Sequence, residues 1–455
     1  MNNEFLVGYA KNDITPPLGI DISGYFVVRL ADGVLDPLEA CAVAITKGDK
    51  TAIMVSLDLC YTQTPYTTEV RQAVAEKTGV APEAVYIHST HTHTGPVTTT
   101  RDLDSMTAQR QDLVLEYRDF LKEKIVEVSV AALADRRPAK MGIGVGKAEN
   151  VAFVRRFRMK DGSAKTNPGV NNPEILHPIG DVDERVNLVR FDRIGAGSIA
   201  LVNFANHPDV VGGCKLSGDW PSFTRRFTER AIENTKCIFF NGAQGDVNHV
   251  NVHPKAGDFN DMFNDFDGCS RGYGHARHIG RVVAGAVMQI WDKVEYIDEG
   301  ELRFIQKTVN IPSNMPDPAD MPLAHKYHEL HLAGKDSEIP YEAMMLTTVV
   351  AEADRMVRLE HGPEFFPMIF TAIALGDVVF FGIPGEPFTG IGRGIKSAEG
   401  WKMICPTCLT NGSEGYFPMM DSYDEGGYEA RSSNFKAGVA EKIIEEGLKI
   451  LEEIR

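Results

Sequence analysis

Hydrophobic positions along the chain follow two alternating spacings, which predict strands and helices in turn. Apolar runs at residues 51–59 and 84–89 have the length and composition of buried strands. Between them, residues 65–78 have helical spacing, and Gly79 follows as a helix stop. A strand, a helix and a second strand in this order predict a βαβ unit with parallel strands.

The same alternation continues along the chain after turn-rich segments at 12–19 and 33–38. Further strands are predicted at 40–47, 139–147, 186–191, 198–204, 237–241 and 301–310, with a hairpin over 371–383. Further helices are predicted at 113–135, 221–233, 273–294, 324–332, 341–360 and 434–453. No internal repeat, low-complexity tract or linker interrupts this pattern. We therefore predict one large α/β domain, residues 1–455, with a mixed β-sheet core flanked by helices.

Residues that can bind a metal follow several of the predicted strands. Imidazole and carboxylate are good zinc ligands, and α/β sheets place their binding sites at the carboxyl ends of strands. One strand runs into Thr-His-Thr-His-Thr-Gly-Pro at 90–96, another into Asn-His-Pro-Asp at 206–209, and the hairpin into Pro-Gly-Glu-Pro at 384–387. The residues concerned are His91, His93, His207, Glu386 and, in a later loop, Tyr416 and Tyr428.

Each of these residues also has a simpler interpretation. A single histidine such as His207 is often a hydrogen-bonded structural residue. Glu386 precedes a predicted helix, where a carboxylate is favoured by the helix dipole. Tyrosines such as Tyr416 and Tyr428 are often packing residues that are half-buried. We expect His88 to be a structural residue.

Composition and charge narrow the class of protein. The chain has 455 residues, is 43% hydrophobic and carries a formal net charge of −16, so nucleic acid and anionic membranes are not expected partners. Seven cysteines without a spacing framework favour reduced thiols. The first residues contain neither a signal peptide nor a membrane span, so we expect a cytoplasmic protein without stable membrane insertion.

The ordered motifs resemble a known family. The run at 90–96, Gly-Asp-Val-Asn at 245–248, Pro-Gly-Glu at 384–386 and two tyrosines twelve residues apart are similar to the catalytic-domain signatures of the neutral/alkaline (non-lysosomal) ceramidases. The segments at 13–17 and 33–37 also resemble that family's N-terminal region. The similarity extends from about residue 8 to about residue 435, and it implies the ceramidase catalytic-domain fold.

The resemblance implies a zinc-dependent amidase that belongs to lipid metabolism. Its Zn²⁺ ligands correspond to His91, His207, Glu386 and Tyr416. His93 corresponds to the residue that moves protons, and Tyr428, with Arg155, to the groups that stabilise the oxyanion. Asp246 and Asn248 fall where the substrate's polar groups are bound. Whether Arg155 or its neighbour Arg156 faces the site is open at this point.

Two departures from the family pattern concern the substrate. Asn248 and His249 stand where the family usually has Ser-Pro, and Val154 replaces an asparagine before Arg155. We also expect neither the N-terminal signal nor the C-terminal β-sandwich domain of the secreted members. We therefore predict a zinc-dependent amidohydrolase that cleaves a linear amide in a small-molecule N-acyl substrate, which is ceramide or a smaller soluble compound. The alternatives are a deacylase or esterase of a polar small molecule and a non-catalytic ligand-binding homologue; oligomeric state is not predicted.

Overall fold

Strands and helices alternate in the computed structural model, which describes residues 4–101, 103–258, 260, 272–297 and 300–455. The strands are β1 (Phe5–Asp13), β2 (Gly33–Val34), β3 (Glu39–Lys47), β4 (Lys50–Leu57), β5 (Val85–Ser89), β6 (Arg137–Lys147), β7 (Phe153–Val154), β8 (Arg156–Met159), β9 (Ala164–Thr166), β10 (Ile175–Pro178), β11 (Arg185–Arg193), β12 (Ser198–Phe204), β13 (Lys215–Leu216), β14 (Thr235–Asn241), β15 (Val247–Asn248), β16 (Glu295–Ile297), β17 (Leu302–Pro312), β18 (Phe365–Leu375), β19 (Val378–Gly382), β20 (Glu386–Pro387), β21 (Met403–Thr407) and β22 (Tyr416–Phe417). The helices are α1 (Thr64–Thr78), α2 (Ala108–Ala134), α3 (Asp219–Ala231), α4 (Tyr273–Ile290), α5 (Met321–Leu332), α6 (Ala343–Leu359), α7 (Thr389–Lys396), α8 (Met420–Glu425), α9 (Tyr428–Ser432) and α10 (Val439–Ile454).

The larger sheet of the described chain contains nine strands in the order β14-β12-β11-β6-β1-β3-β4-β5, with β16 paired to β6. β4 and β5 are parallel, as are β12 and β14, whereas β1 pairs antiparallel with both β3 and β6. The predicted mixed sheet is therefore confirmed. β4, α1 and β5 form the predicted βαβ unit.

A four-stranded sheet, in the order β17-β18-β19-β21, packs against the larger one. The ring of Phe240 on β14 lies 5.4 Å from the ring of Phe380 on β19. Tyr86 on β5 hydrogen-bonds to Thr407 on β21. One continuous apolar cluster contains residues of both sheets and of α2, so the two sheets share a core. That residues 1–455 form a single domain stays a prediction.

The sequence patterns missed the strands of two to four residues and, among those of five residues or more, β1 and β21, which is a correction to the predicted elements. β1 begins at Phe5 and contains Gly8, a residue that weakens strand propensity. β21 contains Pro406 and lies at the edge of its sheet, where proline costs no ladder hydrogen bond to a neighbour on the open side. No helix in the described part of the chain is both long and apolar enough to cross a membrane.

Gly8→Ala is expected to destabilise the fold by about 1–3 kcal/mol through overpacking. A Cβ on Gly8 would lie 2.1 Å from the carbonyl oxygen of Ala132 in α2, so the helix would have to move away from β1. Urea unfolding measures the change. Gly285→Ala in α4 is the matched control, because its Cβ would meet nothing within 4 Å; alanine there should stabilise the helix slightly. Equal stabilities of the two variants would contradict the prediction.

Candidate metal centre

The loops after β5 and β12 are joined by one buried amide side chain. Asn241, the last residue of β14, donates hydrogen bonds from Nδ2 to the backbone oxygens of Thr90 (3.1 Å) and Asn206 (3.0 Å). The Asn206 N–H donates to Asn241 Oδ1 at 3.2 Å. These contacts bring His91 and His207, which follow Thr90 and Asn206, to the same place.

His91 has a constrained backbone and a fixed ring. Its φ is +78°, which is uncommon for a residue with a side chain, and its N–H donates to the Leu59 carbonyl at 2.9 Å. Its Nδ1 lies 2.9 Å from the carbonyl oxygen of Cys60. A carbonyl oxygen can only accept a hydrogen bond, so Nδ1 carries a hydrogen and Nε2 is the ring atom that faces the site and that a metal would bind.

His207 is oriented in the same way, and Glu386 completes a three-residue cluster. The Nδ1 of His207 lies 3.2 Å from the Gln244 carbonyl oxygen, which leaves Nε2 as the lone-pair atom. The two Nε2 atoms are 3.1 Å apart. Glu386 Oε2 lies 3.1 Å from His91 Nε2 and 3.4 Å from His207 Nε2. All three side chains are buried.

This donor set fits a zinc ion. Nitrogen and oxygen ligands about 2.0–2.1 Å from a tetrahedral zinc are about 3.3 Å from one another, close to the separations found here. Burial raises the pKa of the Glu386 carboxyl, but His91 and His207 outweigh burial and lower that pKa well below its usual range. Burial lowers the pKa of His91, but Glu386 outweighs burial and raises it well above its usual range, so a metal that binds here would displace the Nε2 proton of His91. An ionised carboxylate and the Nε2 atoms of two imidazoles therefore converge on one point. The identity of the ion is not fixed by this geometry.

Tyr416 reaches the cluster through a short parallel bridge. β20 and β22 pair Glu386 with Tyr416, and the Glu386 N–H donates to the Gly415 carbonyl at 2.9 Å. Gly385 permits this approach, because a Cβ there would lie 2.5 Å from the Phe417 ring. The Tyr416 ring is nearly parallel to that of His207, with centroids 6.5 Å apart. Its place beside the cluster is clear, and its role as a ligand stays a prediction.

His93 adjoins His91 at the edge of the cluster and is buried like it. The two Nε2 atoms are 3.2 Å apart, and burial together with nearby His91 lowers the pKa of His93 to about 3. The His93 carbonyl accepts a 2.7 Å hydrogen bond from Arg29 Nη2, and the Tyr25 ring centroid lies 5.4 Å from the imidazole. The segment around Tyr25 therefore forms a wall against His93, which is neutral in this setting.

Arg155, rather than Arg156, faces the site. The Arg155 guanidinium carbon lies 5.2 Å from the centroid of the Tyr416 ring. Arg156 points elsewhere, and its Nη2 donates to Glu425 at 2.6 Å. The Tyr428 ring is 5.6 Å from that of Tyr416, and burial followed by the Glu386 charge raises the pKa of Tyr428 above its usual range. The Tyr428 hydroxyl is therefore a proton-bearing donor.

Asp246 and Asn248, the predicted substrate-binding residues, both have intramolecular partners. The Asp246 carboxylate accepts hydrogen bonds from the Thr389 N–H (2.7 Å) and hydroxyl (2.9 Å) at the start of α7. Asn248 donates to Asn167 Oδ1 at 3.0 Å and accepts from the Val250 N–H. These contacts shape the loop after β14, and direct substrate binding by either residue stays a prediction.

Three residues near the cluster were not found from the sequence. Cys60 Sγ lies 3.7 Å from His91 Nδ1, and Cys60, His91 and His93 form a second group with metal-ligand spacing. Gln244 Nε2 lies 3.4 Å from Glu386 Oε2. Glu429 pairs with Arg155. Cys60 and Gln244 each lie three residues beyond a strand, β4 and β14, so their places at strand ends were a signal for both. Glu429 had no such signal.

Comparison with known proteins identifies the fold. No protein-family model matches the sequence, and no curated protein matches it. Among solved structures, neutral ceramidase from Pseudomonas aeruginosa matches with a TM-score of 0.71 at 16% identity, over 100% of this chain and 75% of that one. A ceramidase complexed with C2 matches with a TM-score of 0.71 at 15% identity, over 100% of this chain and 76% of that one. The chain therefore has the ceramidase catalytic-domain-like fold that its motifs predict.

Proposed function

We propose that this chain, which has the fold of neutral ceramidase, is a zinc-dependent amidohydrolase that cleaves the linear amide of an N-acyl compound. One observation carries the proposal: the Nε2 atoms of two imidazoles and an ionised carboxylate lie within 3.4 Å of one another, beside His93. Tyr416 is proposed as the fourth ligand. Arg155 and Tyr428 lie on the same side as Tyr416, so they are available to the substrate carbonyl.

Zinc bound by His91, His207, Glu386 and Tyr416 would supply a Lewis acid and lower the pKa of water toward neutrality. The Cys60 and Gln244 carbonyls hold the two histidines in the tautomer that leaves Nε2 unprotonated. His93, whose Nε2 lies 3.2 Å from that of His91, is placed to take a proton and return it to the leaving amine. Tyr428 keeps its proton and can donate a hydrogen bond to the developing oxyanion, while Arg155 supplies positive charge.

The substrate's acyl and amine parts are proposed from chemistry rather than from the fold. The solved relatives are ceramidases by name, and ceramide is itself an N-acyl compound. His249, which stands at a departure from the family pattern, pairs with Asp209 at 3.0 Å, two residues beyond the ligand His207. This buried polar pair favours a more polar and smaller N-acyl substrate than ceramide. Free thiols on the six described cysteines support a reducing compartment such as the cytoplasm.

The test is hydrolysis of a panel of short- and long-chain N-acyl amines and chromogenic esters by the zinc-loaded protein. Amide cleavage is expected, and Tyr428→Phe should retain the metal but lose about 10²- to 10³-fold in kcat, the usual cost of an oxyanion donor. Metal content is measured on both proteins. Tyr296→Phe is the control, because this exposed tyrosine bonds to Asp192 away from the site.

The panel also separates the alternatives. Zinc binding without turnover of any compound would favour a non-catalytic binding protein, and turnover of esters alone would favour a deacylase or esterase. Either result would overturn the amidase proposal. Cleavage confined to compounds with long acyl chains would support the amidase proposal and would indicate ceramide as the substrate.

A further inference from the structure

Glu429 is a buried carboxylate that neither the motifs nor the proposed ligand set assign. It follows Tyr428, and its side chain is 1% exposed. Its Oε1 lies 2.7 Å from Arg155 Nε, and its Oε2 accepts a 2.8 Å hydrogen bond from the Thr166 hydroxyl. An unpaired carboxylate at this depth would be costly, so the pair with Arg155 is what allows it there.

Arg155 is held on a second side by the backbone. Its Nη2 donates to the Gly245 carbonyl at 2.6 Å, and the guanidinium carbon lies 5.2 Å from the Tyr416 ring centroid. The arginine side chain is 6% exposed, so water does not compete for it. Glu429 and Gly245 therefore fix the plane of the guanidinium, and Tyr416 lies against it.

We propose that Glu429 is a positioning residue, which holds Arg155 against Tyr416 and balances its positive charge beside the metal ligands. The inference deepens the proposed function and rests on it for the part that concerns hydrolysis. A divalent cation and an unbalanced arginine repel each other strongly in a buried site. With Glu429 present, the guanidinium has its own counter-charge and does not compete with the metal for Glu386.

Neutralising Glu429 should therefore weaken metal binding as well as catalysis. Glu429→Gln keeps the size of the side chain and removes the charge, which frees Arg155 to turn toward Glu386. We expect zinc affinity to fall about tenfold and kcat to fall about 10- to 100-fold, with a smaller change in KM, as for other residues that orient a metal site. Glu429→Asp keeps the charge and should recover part of both losses.

The experiment compares these variants with the wild-type protein in zinc titration against a competing chelator, in steady-state kinetics and in thermal unfolding. Glu425→Gln is the matched control, because Glu425 pairs in the same way with Arg156, which points away from the site. Thr166→Val removes only the hydrogen bond to Oε2 and should give a smaller loss of zinc affinity. Thr166→Val also tests the inference if Glu429→Gln does not fold.

The outcomes separate the inference from the proposed function. If the wild-type protein cleaves no amide, the amidase proposal fails, and zinc affinity alone decides the role of Glu429. The inference is overturned if Glu429→Gln binds zinc as tightly as the wild type, or if Glu425→Gln weakens zinc to the same extent. It is also overturned if Glu429→Asp loses as much as Glu429→Gln, since that would indicate a packing defect rather than a lost charge.

Discussion

Glu386→Ala is expected to lose the metal and to lower amide hydrolysis by about a thousandfold or more. Glu386 is the one carboxylate within 3.4 Å of both Nε2 atoms among the described residues. Without it two neutral imidazoles and a tyrosine remain, and the charge that holds a divalent cation is gone. Metal catalysis contributes several kcal/mol to transition-state stabilisation, and each 1.4 kcal/mol is about tenfold in rate.

Metal content by elemental analysis and hydrolysis of the best substrate measure this loss. Glu399→Ala provides the control, because Glu399 is exposed just after α7 and should leave both quantities unchanged. Thermal unfolding in the presence of chelator shows that the variant is folded. A Glu386→Ala protein with stoichiometric zinc and full activity would contradict the proposed centre.

Asp58→Ala should give the largest loss of stability, about 3–5 kcal/mol, because it removes the bidentate partner of the buried Arg225 and leaves that arginine with a single, longer contact to Glu39 at 3.2 Å. Asp58 is fully buried, and its two carboxylate oxygens accept hydrogen bonds from Arg225 at 2.8 and 2.6 Å. The Glu39 N–H also donates to Asp58, at 3.0 Å. One substitution therefore breaks a bidentate ion pair and a backbone contact between β3 and the end of β4.

Chemical denaturation gives the free energy of unfolding for this comparison. Glu149→Ala removes an ion pair with Lys147 in which both side chains are more than half exposed, and it should change that free energy by less than about 1 kcal/mol. Asp58 also precedes Leu59 and Cys60, whose carbonyls fix His91, so zinc affinity should fall as well. An Asp58→Ala protein as stable as Glu149→Ala would contradict the prediction and show that Glu39 alone compensates the charge of Arg225.

Much of the fold could be predicted from the sequence because its long elements have clear periodicity. The predicted strand at 198–204 has the same bounds as β12, and the predicted hairpin corresponds to β18 and β19. β1 could not be predicted in this way, because its Gly8 lowers the strand propensity. The glycine is needed for the close approach of α2, which is a tertiary contact that the local sequence does not show. The pairing of β20 with β22 likewise depends on contacts between segments thirty residues apart.

The candidate site divides in the same manner. His91, His207 and Glu386 could be predicted to meet because each follows a strand, and the structure brings them together; their roles as ligands stay predictions. Glu429 could not be predicted, since its partner Arg155 lies on a different part of the chain and neither residue has a local pattern. The same holds for the Cys60 and Gln244 carbonyls, because a backbone acceptor leaves no mark in the sequence.

The three clustered side chains lie far apart in the sequence, and this has a consequence for synthesis of the protein. His91 and Glu386 are separated by nearly 300 residues. At about 5–20 residues per second, roughly 15–60 s pass on the ribosome between the two. During that interval the nascent chain already contains the imidazole of His91, and later that of His207, but it lacks the carboxylate of Glu386. A cation would therefore find an incomplete set of ligands. If the cluster binds a metal as proposed, tight loading waits until the segment that carries Glu386 has been made and has docked, and metal occupancy then reports completed translation and folding.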